Sequence, residues 1–317
     1  MMENQTVPIF YAVDDNYAPY LAVSLASLVA HTSPDRHYQV IVLCDDLNTD
    51  NQGRLKAFET DNLKIQFVSI NDRLKQEITD KNNKLRSDYF TFTIYFRLFI
   101  AELFPKLDKA LYLDADTVVL KDVGELFDTQ LGDNLVGAVP DHFVGHTPET
   151  IDYAEQAVGI DSQKLVCSGV LLMNLAEMRR LKFAEHFLQL LNKYHFKCLA
   201  PDQDYMNAIA RNRIYYLNPS WHIQITTPQD VDPWLIHYNL FAKPWRYDDA
   251  PRQSYFWTYA KQTDYETMLK QQLADMNPKE VARDQKNQSD LMQLAVDIIK
   301  TPTTFYAMAK QGVKIAL

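Results

Sequence analysis

Residues 109–120 read KALYLDADTVVL. An apolar, strand-like run, Ala110-Leu111-Tyr112-Leu113, ends in two carboxylates one residue apart, Asp114 and Asp116. In an extended backbone, residues i and i+2 point to the same face. Two acids so placed repel each other unless a cation sits between them. A hard divalent ion that keeps room for phosphate oxygens is the simplest resolution. The competing reading is a solvated exit from strand to turn, where Asp is common. A lone Asp-x-Asp does not decide between the two, so the rest of the chain has to.

Outward from this stretch, the first 70 residues alternate. Residues 7–13 read as a buried strand. Residues 19–30 read as a helix, with Leu21, Leu25, Leu28 and Val29 at helical spacing. Residues 38–44 form a second strand, 51–58 a helix and 63–70 a third strand. Strands alternating with helices imply right-handed crossovers and a parallel sheet. Ligands of such sheets bind beyond the carboxyl ends of the strands. Asp14, Asp45 and Asp114 all fall at such ends. Residues 93–104 read as an apolar helix carrying one cation, Arg97. Residues 135–139 and 166–173 are further strand candidates, and 183–196 an amphipathic helix. Residues 201–210 are expected to be helical, with Asp202, Gln203 and Asp204 near the N-terminus, where acids are favoured. Strand signals fade after Tyr247. Residues 291–299 follow as a helix, and Thr301-Pro302 reads as an N-cap with proline at the first helical position. The expected organisation is one α/β domain with a mostly parallel central sheet, residues 1–250, and a helical C-terminal extension, 251–317.

The chain has 317 residues, 47% hydrophobic and 23% charged, which is enough for a sizeable core. Its net charge of -9 argues against nucleic acid held on a broad basic surface. A phosphate-bearing ligand remains open if a metal and a few placed cations supply local positive charge. Cys44, Cys167 and Cys198 show no Cys-x-x-Cys spacing, so neither a disulfide framework nor a zinc site is suggested. A reducing, cytosolic setting fits best. The apolar run 20–30 is short, contains Ser24 and Ser27, and has no cation before it, unlike a signal peptide. No run reaches the ~18 apolar residues needed to span a membrane.

Several segments offer chemistry beside an ordinary structural reading. AVDDNYAPY places Asp14, Asn16 and Tyr17 in the loop after the first strand. Tyr17 could supply a stacking surface for a nucleobase, and Asp14 or Asn16 a polar contact to its edge. The same residues serve as turn and cap formers. His237 ends another apolar stretch, and Lys243 follows it. A neutral imidazole could complete a metal site with the Asp pair, and the ammonium could pair with a phosphate. Alternatively, His237 caps a strand end. Arg97 must be paired if buried, in a salt bridge if nothing else. Asp202 and Gln203 could cap a helix, and Asp141, in VGAVPDHF, could be a turn residue.

Together these segments resemble the family 8 retaining glycosyltransferases, a group that includes glycogenin and the bacterial lipopolysaccharide α-galactosyl- and α-glucosyltransferases. The resemblance runs from about Pro8 to Trp245. It rests on AVDDNYAPYLAVSLASL, TIYFRL, LYLDADTVVL, CSGVLLMNL, PDQDYMN and HYNLFAKPW, in matching order. It implies a nucleotide-sugar-binding domain of the GT-A type. By resemblance, Ala12, Asp14, Asn16 and Tyr17 would bind uridine. Asp114, Asp116 and His237 would hold Mn²⁺ or Mg²⁺ with the UDP diphosphate, and Lys243 would contact the phosphates. Arg97, Asp141, Cys167, Ser168, Gly169, Asp202 and Gln203 would surround the donor sugar. Two positions depart from the family pattern. Cys167 stands where the family often has Asn, and a thiol does not replace an amide's donor and acceptor pair. Leu240 stands where it often has Gly, which alters close backbone approach to a phosphate.

The resemblance implies transfer of a hexose from a UDP-sugar to a glycan, lipid-linked or protein-linked acceptor, with retention at the anomeric carbon. The transition state has oxocarbenium character. Gln203 lies where a retaining enzyme would place a nucleophile, and an amide is a poor one. Same-face attack within an ion pair is therefore implied, with Gln203 stabilising positive charge and Asp202 holding sugar hydroxyls. A haloacid-dehalogenase-like phosphatase would need Thr at the fourth residue after the first Asp; Val118 is there. A non-catalytic sugar-nucleotide or glycan-binding protein on the same fold is the other alternative. The C-terminal helices either pack on the catalytic domain or lie peripherally on a membrane, as basic amphipathic helices do.

Overall fold

The fold was analysed in a computed structural model that describes residues 6–44, 46–69 and 93–317. Asp45 and Ile70, which the sequence places at strand ends, lie outside the described residues. In chain order the strands are β1 (Thr6–Val13), β2 (His37–Cys44), β3 (Leu63–Ser69), β4 (Lys109–Leu113), β5 (Thr117–Val119), β6 (Val136–Ala138), β7 (Val170–Asn174), β8 (Ile214–Tyr216), β9 (Ile223–Gln224) and β10 (Leu235–His237). The helices that matter for the site are α1 (Ala18–Ala30), α2 (Thr49–Lys56), α3 (Phe183–Tyr194), α4 (Pro201–Ala210), α5 (Pro278–Ile299) and α6 (Phe305–Lys310). The architecture is mixed α/β with mostly parallel strand pairing. Two compact units are distinguished. One takes the N-terminal residues through Ser69, Ala110–Gln130 and Asn218–Ala282; the other takes 93–109, Leu131–Leu217 and Arg283–Leu317.

In the first unit, β1 is apolar on both faces, with Val7, Ile9, Phe10 and Tyr11 fully buried. A strand covered on both sides requires this. It pairs in parallel with β2 from Thr6 opposite His37 to Val13 opposite Cys44, and with β4 through Ile9–Leu111 and Phe10–Tyr112. β3 extends the set in parallel from β2. Because β1 and β4 run the same way, Asp14 and Asp114 leave the sheet at the same edge. Helix α1 forms the crossover from β1 to β2 and is buried nearly all round, so it shows no broad polar face. Its two serines are buried and bonded. Ser24 Oγ lies 2.9 Å from Thr117 Oγ1 and 3.1 Å from the Tyr11 hydroxyl. Ser27 Oγ accepts from Val119 N at 2.8 Å and donates to Ser24 O at 2.7 Å. Strand β5 is thereby fastened to α1. A second, smaller sheet is completed by β10, antiparallel to β5, and β9, parallel to β10.

In the second unit, β6 lies between antiparallel β7 and parallel β8. Helix α3 buries Phe183, Phe187, Leu190 and Leu191, the spacing that the sequence shows. The Phe187 ring meets Tyr95, Phe99 and Tyr205. Residues 93–104 differ from the expected single helix. They form two short helices, Thr93–Phe96 and Ile100–Leu103, joined by a 3₁₀ turn at Arg97–Phe99. Arg97 Nε donates back to Ile94 O at 3.2 Å. The expected strand 166–173 starts only at Val170. The Asn207 amide of α4 brackets Val166 instead, accepting from its N–H and donating to its carbonyl, each at 2.8 Å. Cys167, Ser168 and Gly169 are thus led out of the ladder.

Helix α5 is longer than its apolar period shows, because residues 278–290 are mostly polar; beyond them Leu291, Ala295 and Ile298 bury one apolar face. Thr301-Pro302 is not an N-cap. Thr301 Oγ1 donates to Ile298 O at 2.7 Å and closes the end of α5. The next cap is Thr304, whose Oγ1 accepts from Ala307 N at 3.1 Å. Phe305 is 2% exposed, with its ring 4.1 Å from Phe196 and 4.9 Å from Tyr205. Leu317 N donates to Ile209 O at 3.0 Å, and His186 Nε2 lies 2.8 Å from Ile315 O. Among the described residues no helix is long and apolar enough to cross a membrane. Phe305→Ala is expected to lower the unfolding free energy by about 3–5 kcal/mol, read from urea midpoints. An unchanged midpoint would show that the tail is not part of the second unit's core.

Candidate active site

Asp114 and Asp116 converge, but by a turn and not by strand alternation. β4 ends at Leu113, β5 begins at Thr117, and the two acids lie in the turn between them. Thr117 Oγ1 donates to Asp114 O at 2.8 Å and holds that turn. The buried Tyr112 hydroxyl donates to Asp114 Oδ1 at 2.9 Å. Antiparallel pairing of β10 on β5 sets His237 opposite Thr117, and Tyr238 N donates to Asp116 O at 2.9 Å. His237 Nε2 comes within 3.1 Å of Asp116 Oδ1 and 3.6 Å of Asp114 Oδ2. One donor atom from each of the three residues lies within 4.8 Å of the others. Two carboxylates and one imidazole suit a divalent cation that keeps further positions for phosphate oxygens.

Lys243 completes this cluster. Its Nζ lies 2.6 Å from Asp116 Oδ2 and donates to Tyr238 O at 2.7 Å. Burial alone would raise the Asp116 carboxyl, but Lys243 and His237 outweigh it and hold the group well below the usual carboxylate range. On the far side of His237, Nδ1 lies 2.9 Å from His222 Nε2. Burial, and then the neighbouring His237, keeps His222 well below the usual imidazole range, so this ring is neutral.

The loop after β1 is also pinned. Asp14 caps a 3₁₀ turn, Asp15–Tyr17, accepting from Tyr17 N at 3.1 Å. Asp15 accepts from Asn48 N at 2.9 Å and from Asn51 Nδ2 at 2.8 Å, which ties the loop to the start of α2. Ala12 and Tyr17 are half-buried and Asn16 is exposed. The Tyr17 ring meets Tyr20 edge-on, and Tyr20 stacks on Trp245 at 4.0 Å. An aromatic series therefore runs from this loop to the segment carrying Lys243.

In the second unit, five of the expected sugar residues form one buried network. Asp202 Oδ2 pairs with Arg97 Nη1 at 3.2 Å and accepts from Ser168 Oγ at 2.8 Å. Arg97 Nη1 also donates to Ser168 O at 2.8 Å. Gln203 is held at both ends: Oε1 accepts from Ser168 N at 3.1 Å, and Nε2 donates to Asp141 Oδ2 at 3.0 Å. Asp141 in turn accepts from Val144 N at 3.1 Å. Cys167 is buried with its N–H on Val139 O, and Gly169 is buried in the turn before β7. Asp202 and Gln203 do not cap α4. Asp204 serves its N-terminus, accepting from Leu199 N, Ala200 N and the Tyr153 hydroxyl at 2.9, 3.1 and 2.7 Å. Burial raises the Asp204 carboxyl to about 7, against the Tyr153 hydroxyl and the two amides, which favour its ionised form.

Sequence reasoning missed His222 and the bonding of the α1 serines, and it placed Asp204 at the helix N-terminus without separating its role from those of Asp202 and Gln203. His222 sits in a segment without strand or helix periodicity, so no spacing pointed to it. Asp204 lay beside Asp202 and Gln203 without a signal to separate a capping acid from its neighbours. The departure at Leu240, by contrast, has a direct structural counterpart: its φ is +60°, in the left-handed region. That conformation disfavours a side chain by about 1–2 kcal/mol, whereas glycine's added unfolded-state freedom costs roughly 0.5–1 kcal/mol. Leu240→Gly is therefore expected to stabilise the protein by roughly 0.5–1 kcal/mol, the difference of those terms. Leu240→Ala should not. Calorimetric melting of both variants checks this; equal melting temperatures would remove the strain argument.

Comparison with known proteins agrees with this geometry. The sequence profile described as glycosyl transferase family 8 matches residues 8–249. General stress protein A of Bacillus subtilis is 23% identical over 291 residues, which cover 84% of this chain and 98% of that protein. The lipopolysaccharide 1,3-galactosyltransferase of Salmonella typhimurium is 25% identical over 272 residues, covering 80% of this chain and 77% of its own. Among solved structures, the galactosyltransferase LgtC in complex with donor and acceptor sugar analogues superposes with a TM-score of 0.68 at 27% identity, covering 81% of this chain and 96% of LgtC. The match spans both the Asp-x-Asp turn and the His237–Lys243 segment, and the chain belongs to glycosyl transferase family 8.

Proposed function

We propose that the protein is a metal-dependent, retaining glycosyltransferase that moves a hexose from a UDP-sugar to a glycan, lipid-linked or protein-linked acceptor. The hexose is glucose or galactose, with or without an N-acetyl group. The observation that carries this reading is the convergence of Asp114, Asp116 and His237 on one point, with Lys243 beside them. A diphosphate brought next to two carboxylates needs positive charge there. A bound Mn²⁺ or Mg²⁺ would neutralise the UDP leaving group as the glycosidic bond breaks. Lys243, already aimed at Asp116, would exchange part of that contact for a phosphate oxygen. Tyr17 would stack on the uracil, with Ala12, Asp14 and Asn16 around the nucleoside.

The hexose would be held by Arg97, Asp141, Cys167, Ser168, Gly169, Asp202 and Gln203. Two features of that network support retention without a covalent enzyme intermediate. Asp202 is neutralised by Arg97 and Ser168, which leaves it suited to hydrogen-bonding sugar hydroxyls and a weak nucleophile. Gln203 has its amide fixed at both ends, so its carbonyl dipole is oriented before substrate arrives. A fixed dipole stabilises developing oxocarbenium charge without reorganisation. The acceptor hydroxyl would then attack from the face that the diphosphate leaves.

Asp114→Ala, Asp116→Ala and His237→Ala are each expected to abolish Mn²⁺-dependent release of UDP from UDP-glucose or UDP-galactose, with circular dichroism unchanged. Full activity in EDTA would falsify the metal-dependent reading. Cys167→Asn, which restores an amide beside Ser168, is expected to change the ratio of kcat/KM among UDP-sugars by about tenfold, equivalent to ~1.4 kcal/mol. Competition between paired donors reads this out. An unchanged ratio would assign Cys167 to packing alone.

A further inference from the structure

A second imidazole stands behind His237, and none of the roles above uses it. His222 is 1% exposed and ends the 3₁₀ turn Pro219–His222 that leads into β9. β9 and β10 pair in parallel, with Gln224 opposite His237. The two rings stack, with centroids 5.1 Å apart and planes 27° from parallel. His222 Nε2 lies 2.9 Å from His237 Nδ1, and His222 Nδ1 has no hydrogen-bond partner.

The proton positions follow from what His237 faces. Its Nε2 is the atom directed at Asp114 and Asp116. A nitrogen that gives its lone pair to a cation carries no proton, so with a cation held at Nε2 the remaining ring proton would be on Nδ1. That N–H needs an acceptor, and the group in range is His222 Nε2. His222 would then carry its own proton on Nδ1, which has no hydrogen-bond partner among the described residues. An apolar ring at this position would leave the buried His237 Nδ1–H without its partner, and a buried donor without a partner is destabilising.

We infer that His222 is a positioning residue for His237. It holds His237 in the tautomer that presents Nε2 to a divalent cation. Groups behind a ligating histidine fix its ring orientation and raise its basicity, and their loss typically weakens metal binding 10–100-fold. The inference rests on the reading of Asp114, Asp116 and His237 as a metal site.

The experiment titrates Mn²⁺ alone into the full chain, with free Mn²⁺ followed by electron paramagnetic resonance. Wild type is compared with His222→Phe, His222→Gln and Asp116→Ala, and the melting temperature of each metal-free protein is recorded. His222→Phe is expected to weaken Mn²⁺ binding about 10–100-fold while still folding, seen as a cooperative melt. His222→Gln keeps an oxygen that can accept from Nδ1 and is expected to recover most of the affinity. Unchanged Mn²⁺ affinity in His222→Phe would overturn the positioning role and leave the metal site standing. An equal loss of affinity in His222→Gln, or failure of His222→Phe to fold, would make His222 a packing residue and overturn it as well. If wild type binds Mn²⁺ no better than Asp116→Ala, the metal-site reading itself fails.

Discussion

Asp116 is a carboxylate with nine-tenths of its side chain withdrawn from water, and its charge survives there because two groups reach it. Isolated ions are too costly to bury, so they are paired or neutralised. Lys243 meets one oxygen and His237 the other. Much of the first unit's local geometry can be traced to that pairing. His237 arrives by antiparallel pairing of β10 on β5, which in turn is anchored by the serines of α1. Lys243 must return to the same acid only a short way along the chain. The turn between them is therefore tight, and Leu240 takes up a backbone conformation that its side chain disfavours. Removing one partner of such a buried pair is typically far more damaging than never having had the pair. The cluster is thus both a charge-balanced arrangement in the metal-free protein and the place where its chemistry is expected.

The second unit solves the same problem with different parts. Asp202 is buried against the guanidinium of Arg97, and Ser168 links that pair to Gln203. The arrangement depends on a division of labour at the start of α4. Asp204 satisfies the backbone amides that Asp202 or Gln203 would otherwise be drawn to cap. Free of that duty, the two preceding side chains reach sideways into the network. A helix N-terminus rich in acids can therefore hide two functions under one pattern.

Strand–helix alternation, the buried character of β1 and the amphipathic face of α3 were legible because each is a periodic signal imposed by burial. The association of Asp114, Asp116, His237 and Lys243 was implied by the family resemblance, whereas the residues alone left His237 open between metal ligand and strand-end cap. The error at residues 166–173 has a different origin. The run is apolar enough for a strand, but the Asn207 side chain, remote in sequence, competes for the backbone of Val166. Thr301 misled for a similar reason. The same hydroxyl can open a helix or close one, and the choice belongs to the carbonyl of Ile298. His222 carried no local signal at all, because its significance arises only from the pairing of β9 with β10. What the sequence withheld was thus mainly side-chain hydrogen bonding between distant segments.

Helix α1 has one more property that follows from its two attachments. Its start is continuous with the loop holding Asp14 and Tyr17, and its middle turns carry Ser24 and Ser27, which grip β5. An α-helix advances about 1.5 Å and turns about 100° per residue. The segment from Tyr17 to Ser27 therefore acts as a ruler, fixing both the distance and the angular phase between the loop and the Asp-x-Asp turn. Substitutions along it can be absorbed by repacking, but an insertion or deletion of a single residue would swing both hydroxyls off β5 at once. In this interval the chain is constrained less in which residues it carries than in how many.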